Sequence, residues 1–582
     1  MKNMYFLRLP LLFSIVLLIS SCGLDLMVSK FNTLNFTVTP TQVEVHGGNI
    51  EVELEVKIPE KYFQKTAEAD FRVMLAPSDD SESKVFFNPV KLQGEKISSN
   101  GKTIGYISGG KFKYKSSVKY SKEMADYDLF ATAVATMNDN TKSLGAVKVA
   151  DGVMATATRV RNSEEPAISN HNYEKVTVLE QTAVIYFTVN QSNIRYSQKS
   201  SDEIKRLKDF AKLGYETKNI EISSYASPEG TLDVNDKVSD NRNESSLKFA
   251  KQLMKELNVK GSNNNELYIK SSKGEDWEGF NKLVNSSNMK DKRKVLNIVR
   301  NQKDPQKREE SIRDMAEIYD AIEDDVLPKL RKATITLRVY QPKKSDGEIA
   351  YLSTSDPSKL DIKEMLYAAS LGKISIEEVY NKEYGEYYLD TSFVKDVSTS
   401  KMIYEKIIEL FPDDYRSYNN LAAIYINEKN INKATDMLGK ASKYNANAVE
   451  VNENKGIIAA LEEDYERATT LYNSTNASDI NKGILAIKTG NYDKATKLLK
   501  GNGYNSTLAK LMNGMPVTTT DNSAEGNYLN AIINARLGDI DKCVEYLSKS
   551  IDMNPQYKNE ASKDFEFKSL NDNTVFQSLI RN

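Results

Sequence analysis

The chain has 582 residues, with 79 Lys+Arg against 81 Asp+Glu and a formal net charge of -2. That length exceeds what one hydrophobic core can organise and predicts about three or four domains, while the even charge offers no field for a nucleic acid. Hydrophobic residues at 40% are enough to bury cores, and two histidines and two cysteines exclude a His-rich metal site and a disulfide-stapled scaffold.

Residues 1–21 read MKNMYFLRLPLLFSIVLLISS. Lys2 and Arg8 precede an apolar run from Leu9 to Ile19, broken only by Pro10 and Ser14. The run matches a signal-peptide core and is too short to span a bilayer. Ile19-Ser20-Ser21-Cys22-Gly23 resembles the bacterial lipobox. The resemblance implies that Cys22 becomes the first mature residue and carries lipid, with 22–32 as the anchor linker. Each buried methylene contributes about 0.8 kcal/mol, so more than one acyl chain makes attachment stable. Surface-exported lipoproteins of the Bacteroidetes carry an acidic cluster near that cysteine, whereas here only Asp25 is present. This favours an outer-membrane lipoprotein facing the periplasm.

Residues 33–160 predict a β-sandwich. Ile50, Val52, Leu54, Val56 and Ile58 alternate with Glu51, Glu53, Glu55 and Lys57, the period of a strand with one buried and one wet face. His46-Gly47-Gly48-Asn49 is a turn signal. Phe112 to Tyr120 repeats the alternation, and 129–137 and 147–160 read as further strands. Short strands with polar turns fit an antiparallel sandwich, with an immunoglobulin-like arrangement as one form. A polar linker is expected over 161–179, containing Pro166 and His171.

Residues 180–342 predict an α/β module. Strands are expected at 183–189, 219–225 and 333–340, with helices from Ser201 and through Leu247 to Leu257. Tyr225-Ala-Ser-Pro-Glu-Gly230 is followed by Asn235, Val238-Ser239 and Arg242. These offsets resemble the peptidoglycan-binding C-terminal domain of the OmpA family. The resemblance implies a diaminopimelate carboxylate at a helix N-terminus, clamped by Arg242. Ser227 stands where the family has the Asp that answers the ligand's ammonium group, with Glu229 two residues later. The implied site is Ser227, Gly230, Asn235, Ser239 and Arg242. The alternative is that Asn235, Ser239 and Arg242 shape the loop and cap the helix. Residues 259–330 read as inserted helices, with Trp277 as a core anchor for them.

A second linker is expected over 343–360, then helical repeats over 361–582. Tyr418, Leu421, Ala422, Tyr425, Ala434, Leu438 and Ala441 match the spacing of a tetratricopeptide repeat. Gly456, Ala459, Ala468 and Tyr472 follow one period later, then Gly483, Ala486, Ala495 and Leu499, then Ala531, Cys543, Leu547 and Pro555. Small residues recur where two helices cross closely, which makes Cys543 a buried packing residue. Stacked first helices line a groove that suits a peptide or partner helix. Arg416, Asn419, Asn420 and Asn427 are the candidate groove residues, with a solvated helix face as the alternative.

The expected fold class is thus multidomain: a β-sandwich, an OmpA-like α/β module with a helical insertion, then all-α repeats. The expected function is a non-enzymatic scaffold or adaptor of the cell envelope, without cofactor or metal. Its expected partners are the outer-membrane bilayer through Cys22, peptidoglycan, and an envelope protein through the repeats. The order of modules resembles Bacteroidetes lipoproteins. The alternatives are a surface adhesin, or a fimbrial or type IX-like secretion assembly factor. A wall hydrolase would need a carboxylate pair or nucleophile cluster, and no spacing singles one out.

Overall fold

The computed structural model describes residues 23–77, 83–381, 386–475 and 477–581; Cys22 and the signal sequence lie outside the described residues. The chain forms two compact units, Met1–Asn170 with Ile408–Asn582, and His171–Ile407. No described helix is long and apolar enough to cross a membrane.

The first unit opens with a helical turn over 23–30 that buries Leu24 and Met27 in the sandwich core. The Tyr62 hydroxyl donates to the Met27 carbonyl at 2.9 Å. The segment expected as a free anchor linker is therefore packed, because two apolar residues three apart share one helix face. Two sheets follow, of five and six strands. Strand Asn49–Ile58 pairs antiparallel with Gly110–Lys119, and Ala67–Pro77 with Tyr127–Met137. Ile50, Val52, Leu54, Val56 and Ile58 are all buried, as their alternation requires. The expected strand over 147–160 is instead three pieces: the end of strand Asn140–Ala150, the short strand Val153–Met154, and a 3-10 turn at Thr156–Arg159. Gly152, at φ +55°, breaks it, since only glycine takes that conformation without strain.

The repeats complete this unit. Helices Tyr415–Asn427 and Ile431–Tyr444, Val449–Leu461 and Tyr465–Thr475, Asp479–Lys488 and Tyr492–Leu498, and Ala524–Leu537 and Ile540–Met553 are the four pairs foreseen from the spacing. Helix Tyr504–Met512 was not foreseen. Close crossing explains the small residues. A Cβ on Gly456 would lie 2.5 Å from the Tyr472 ring, and one on Gly483 would lie 2.5 Å from Leu499. Ala434, Ala468, Ala495 and Cys543 are fully buried at equivalent places. Burial pushes the Cys543 thiol up to about 12, so it stays protonated and unreactive.

The sandwich is joined to the repeats by ions as well as apolar contact. Arg536 reaches Glu566 through Nε at 2.8 Å and Nη2 at 2.5 Å, and Glu44 at 2.7 Å. Glu566 also accepts from the Thr156 hydroxyl at 2.5 Å. His46, in its turn, lies 3.3 Å from the Tyr492 hydroxyl.

The second unit is built on a four-stranded sheet in the order Val178–Tyr186, Lys332–Tyr340, Glu216–Ala226, Tyr268–Glu275. The last strand runs parallel to its neighbour and lies inside the segment read as inserted helices. It was missed because its residues, YIKSSKGE, leave only Tyr268 and Gly274 buried. Helix Leu232–Glu256 packs on the sheet through Ala250, Leu253 and Met254. Helices Trp277–Ser286, Lys292–Asn301, Pro305–Arg313 and Ala316–Asp325 form a separate core around Phe280, Val284, Val295, Val299 and Ile322. Trp277 packs against it, 5.4 Å from Phe280, and donates to Glu275 at 2.8 Å. The expected linker at 343–360 holds helix Asp346–Ser355, with Ile349 and Ala350 buried. A hairpin of Lys373–Asn381 and Glu386–Val394 interrupts the region expected to be all helix.

Candidate functional site

In the second unit, the loop after strand Glu216–Ala226 gathers the residues singled out by the OmpA resemblance. Arg242 is buried in helix Leu232–Glu256, with 1% of its surface exposed. Its guanidinium donates to the carbonyls of Gln191 at 3.0 Å, Tyr225 at 2.8 Å and Thr188 at 3.2 Å. Burial, and then the charge of Arg331, lower its pKa to about 10. Ser239 exchanges hydrogen bonds with Ser224, its hydroxyl donating to the Ser224 carbonyl at 3.0 Å. Asn235 donates to Glu275 at 2.8 Å, and Gly230 packs beside it.

Ser227 donates to Glu229 at 2.5 Å, and Arg331 grips the same carboxylate through two bonds of 2.6 and 2.8 Å. The chain thus supplies its own anion at this loop, and the bidentate geometry is the strong form of the contact. Beside it a cleft of about 650 Å³ is lined by Tyr186–Val189, Arg195, Pro328, Lys329 and Arg331. Arg242→Ala orphans three buried carbonyls. It is expected to lower the stability of this unit by about 2–3 kcal/mol, read as a lower urea midpoint. An unchanged midpoint would show that the guanidinium does not tie the loop down.

The first unit holds a more elaborate site. Residues 161–169 run along the first helices of the repeats, and asparagine side chains hold their backbone. Arg161 N–H donates to Asn505 Oδ1 at 2.9 Å, and Asn505 Nδ2 returns a bond to the Arg161 carbonyl at 2.9 Å. Asn481 does the same for Glu165, at 2.8 and 2.9 Å. Asn454 clasps Ala167 at 2.8 Å in both directions. Asn420 clasps Ser169 at 2.7 and 3.1 Å. Asn419 adds bonds to the Ala167 carbonyl and the Ser169 hydroxyl. A carboxamide carries both donor and acceptor, so one side chain satisfies both polar groups of one residue. The clasped residues 165, 167 and 169 alternate as on one face of a period-two chain, and a tight turn, with the Ser163 N–H donating to the Arg161 carbonyl at 3.0 Å, sets Arg161 apart from them. Pro166, which has no N–H, falls between clasps.

Charges fix the register. Arg161 pairs with Asp521 and Glu525 and stacks 3.8 Å over Tyr504. Arg159 reaches Asp564 at 2.8 Å and Glu560 at 2.7 Å, 4.2 Å over the Tyr528 ring. Glu164 meets Lys488 at 2.8 Å with both side chains almost fully buried. The stretch 161–170, expected to be a solvated linker, is therefore held ligand-like inside its own unit. His171, at the start of the other unit, packs edge-on to Tyr367 with ring centroids 5.1 Å apart.

Of the four expected groove residues, Asn419 and Asn420 line the groove and are buried. Arg416 pairs with Asp414 at the start of its own helix, at 2.7 Å. Asn427 is exposed at the last position of that helix. Asn454, Asn481 and Asn505 were not foreseen. A signal was present: Asn420, Asn454 and Asn481 each stand two residues before the small crossing residue, Ala422, Gly456 or Gly483. Among the described residues no cluster of three or more His, Cys, Asp or Glu could hold a metal ion.

This fold and groove define an array of tetratricopeptide repeats. Family models described as tetratricopeptide repeat match residues 403–436 and 524–557. No curated protein matches the chain. Among solved structures, one from a functional characterisation of Pseudomonas aeruginosa pilF is 14% identical, with a TM-score of 0.23, covering 28% of this chain and 89% of its own. YrrB, described as a TPR protein with an unusual peptide-binding site, is 14% identical with a TM-score of 0.20, covering 30% and 88%. A tetratricopeptide repeat protein from Parabacteroides merdae is 12% identical with a TM-score of 0.25, covering 40% and 89%.

Proposed function

We propose that the protein is a non-catalytic scaffold of the bacterial cell envelope, acting by holding other components in place. The observation that carries this reading is the repeat groove, whose asparagine side chains grip peptide backbone through neutral amides. The repeats serve as the partner-binding element. In this proposal acylated Cys22 anchors the chain in the outer membrane, facing the periplasm. Because residue 23 already lies in a packed helix, such an anchor would set the sandwich close to the bilayer surface. The second unit is proposed as an OmpA-like module contacting peptidoglycan at the loop that holds Ser227, Gly230, Asn235, Ser239 and Arg242, with Arg331 lining the cleft beside it.

Fractionation of cells tests the anchor. Wild-type protein is expected with outer membranes, and Cys22→Ala in the soluble fraction. Retention of the variant in the membrane would contradict lipidation as the anchor. Binding of the purified full chain to isolated sacculi, weakened by Arg331→Ala, tests the second contact.

A further inference from the structure

We infer that the repeat groove is a peptide site filled in cis, and that its ligand class is a peptide bearing the pattern Arg-x-Arg-x-x-Glu, supplied here by residues 159–164. The inference deepens the adaptor reading by naming the chemistry of what the repeats hold.

Three observations carry it. First, recognition is split as in a binding site. Asn481, Asn454 and Asn420 bind only main chain of the segment, at residues 165, 167 and 169, and Asn505 holds the main chain of Arg161 while also donating to the Ser163 hydroxyl at 3.1 Å. The main-chain clasps tolerate any side chain. Second, the side-chain contacts discriminate. Two arginines meet four carboxylates, Asp564 and Glu560, then Asp521 and Glu525. The following glutamate meets the buried Lys488. Acid at one end of the groove and a lone buried cation in its middle fix both direction and register, since the reversed peptide would set like charges together. Third, two aromatic faces, Tyr528 and Tyr504, receive the guanidinium planes, and arginine stacks there where lysine does not.

Residues 159–169 are joined to the groove through the chain on both sides. Tethering gives an effective concentration of about millimolar, so a free peptide of the same pattern competes poorly. A partner strand therefore enters only as the linker leaves. Leaving frees nine residues, 161–169, which extend to about 30 Å at 3.3 Å each. Occupancy of the groove and slack in the chain between the two units are thereby coupled.

The test uses the full chain with residues 159–169 replaced by glycine and serine at equal length, and a labelled synthetic peptide spanning 158–170. The open variant is expected to bind the peptide, and wild type to bind it about 100-fold more weakly. Asn454→Ala with Asn481→Ala in the open variant, or Arg161→Ala with Glu164→Ala in the peptide, is expected to abolish binding. A folded open variant that ignores the peptide overturns the inference, as does equal binding to wild type. If the open variant does not fold, glutamyl endopeptidase on wild type decides: resistance after Glu164 supports a filled groove, and prompt cleavage there overturns it. Neither arm uses membranes or sacculi, so failure here leaves the envelope reading standing, and failure of that reading leaves this result standing.

Discussion

Replacing Lys488 with methionine is expected to destabilise the first unit by about 3–5 kcal/mol. The ammonium lies 2.8 Å from Glu164, and the two side chains are 6% and 3% exposed. Removing it leaves a carboxylate in the interior, where its lost hydration has no replacement. The pair itself is worth much less than its breakage, because both ions were desolvated to form it. The double variant Lys488→Met, Glu164→Leu is therefore expected to recover most of the loss. Urea midpoints of the three chains measure this. A single variant within about 0.5 kcal/mol of wild type would mean that the ion pair is exposed in solution and that the linker is not seated.

Arg536→Ala is expected to cost a similar 3–5 kcal/mol and to act at a different place. Glu566 is fully buried at the side chain and takes two bonds from Arg536, while Glu44 of the sandwich takes a third. Without the guanidinium, two carboxylates face each other, Glu566 keeping the Thr156 hydroxyl and Glu44 the His46 ring at 3.4 Å. The sandwich should then separate from the repeats before either unfolds. Two resolved thermal transitions in place of one for this unit, together with faster proteolysis near residues 150–160, are the expected signature. A variant that melts as wild type does would show that Arg536 does not hold the two parts together.

Much of the architecture was readable from short-range pattern. The sandwich strand Asn49–Ile58 declared itself through strict alternation, and the repeat helices through small residues at fixed spacing, because both signals arise from burial on one face. What escaped was set by distant partners. Strand Tyr268–Glu275 is polar and lies at a sheet edge, so its pairing and not its composition makes it a strand. The helix over 23–30 depended on a core contributed by residues far along the chain. At the groove, Asn419 and Asn420 were visible from one good repeat. The ladder through Asn454, Asn481 and Asn505 needed the repeats aligned on their crossing residues. That the ligand was the segment 161–169 could not be read locally, since polar residues with a proline spell the same composition whether solvated or clasped. Arg242 shows the converse. Its spacing placed it in the expected loop, but two of its three carbonyl acceptors, Gln191 and Thr188, come from a segment the motif does not contain.

The account rests on asparagines holding a backbone, and amide hydrogen exchange in the intact protein reads that directly. The N–H groups of Arg161, Glu165, Ala167 and Ser169 are expected to exchange as slowly as those of the repeat helices beneath them, although no helix or sheet protects them. Exchange of these four amides at the rate of an unstructured chain would contradict the account, because the groove would then be open and the segment merely passing by.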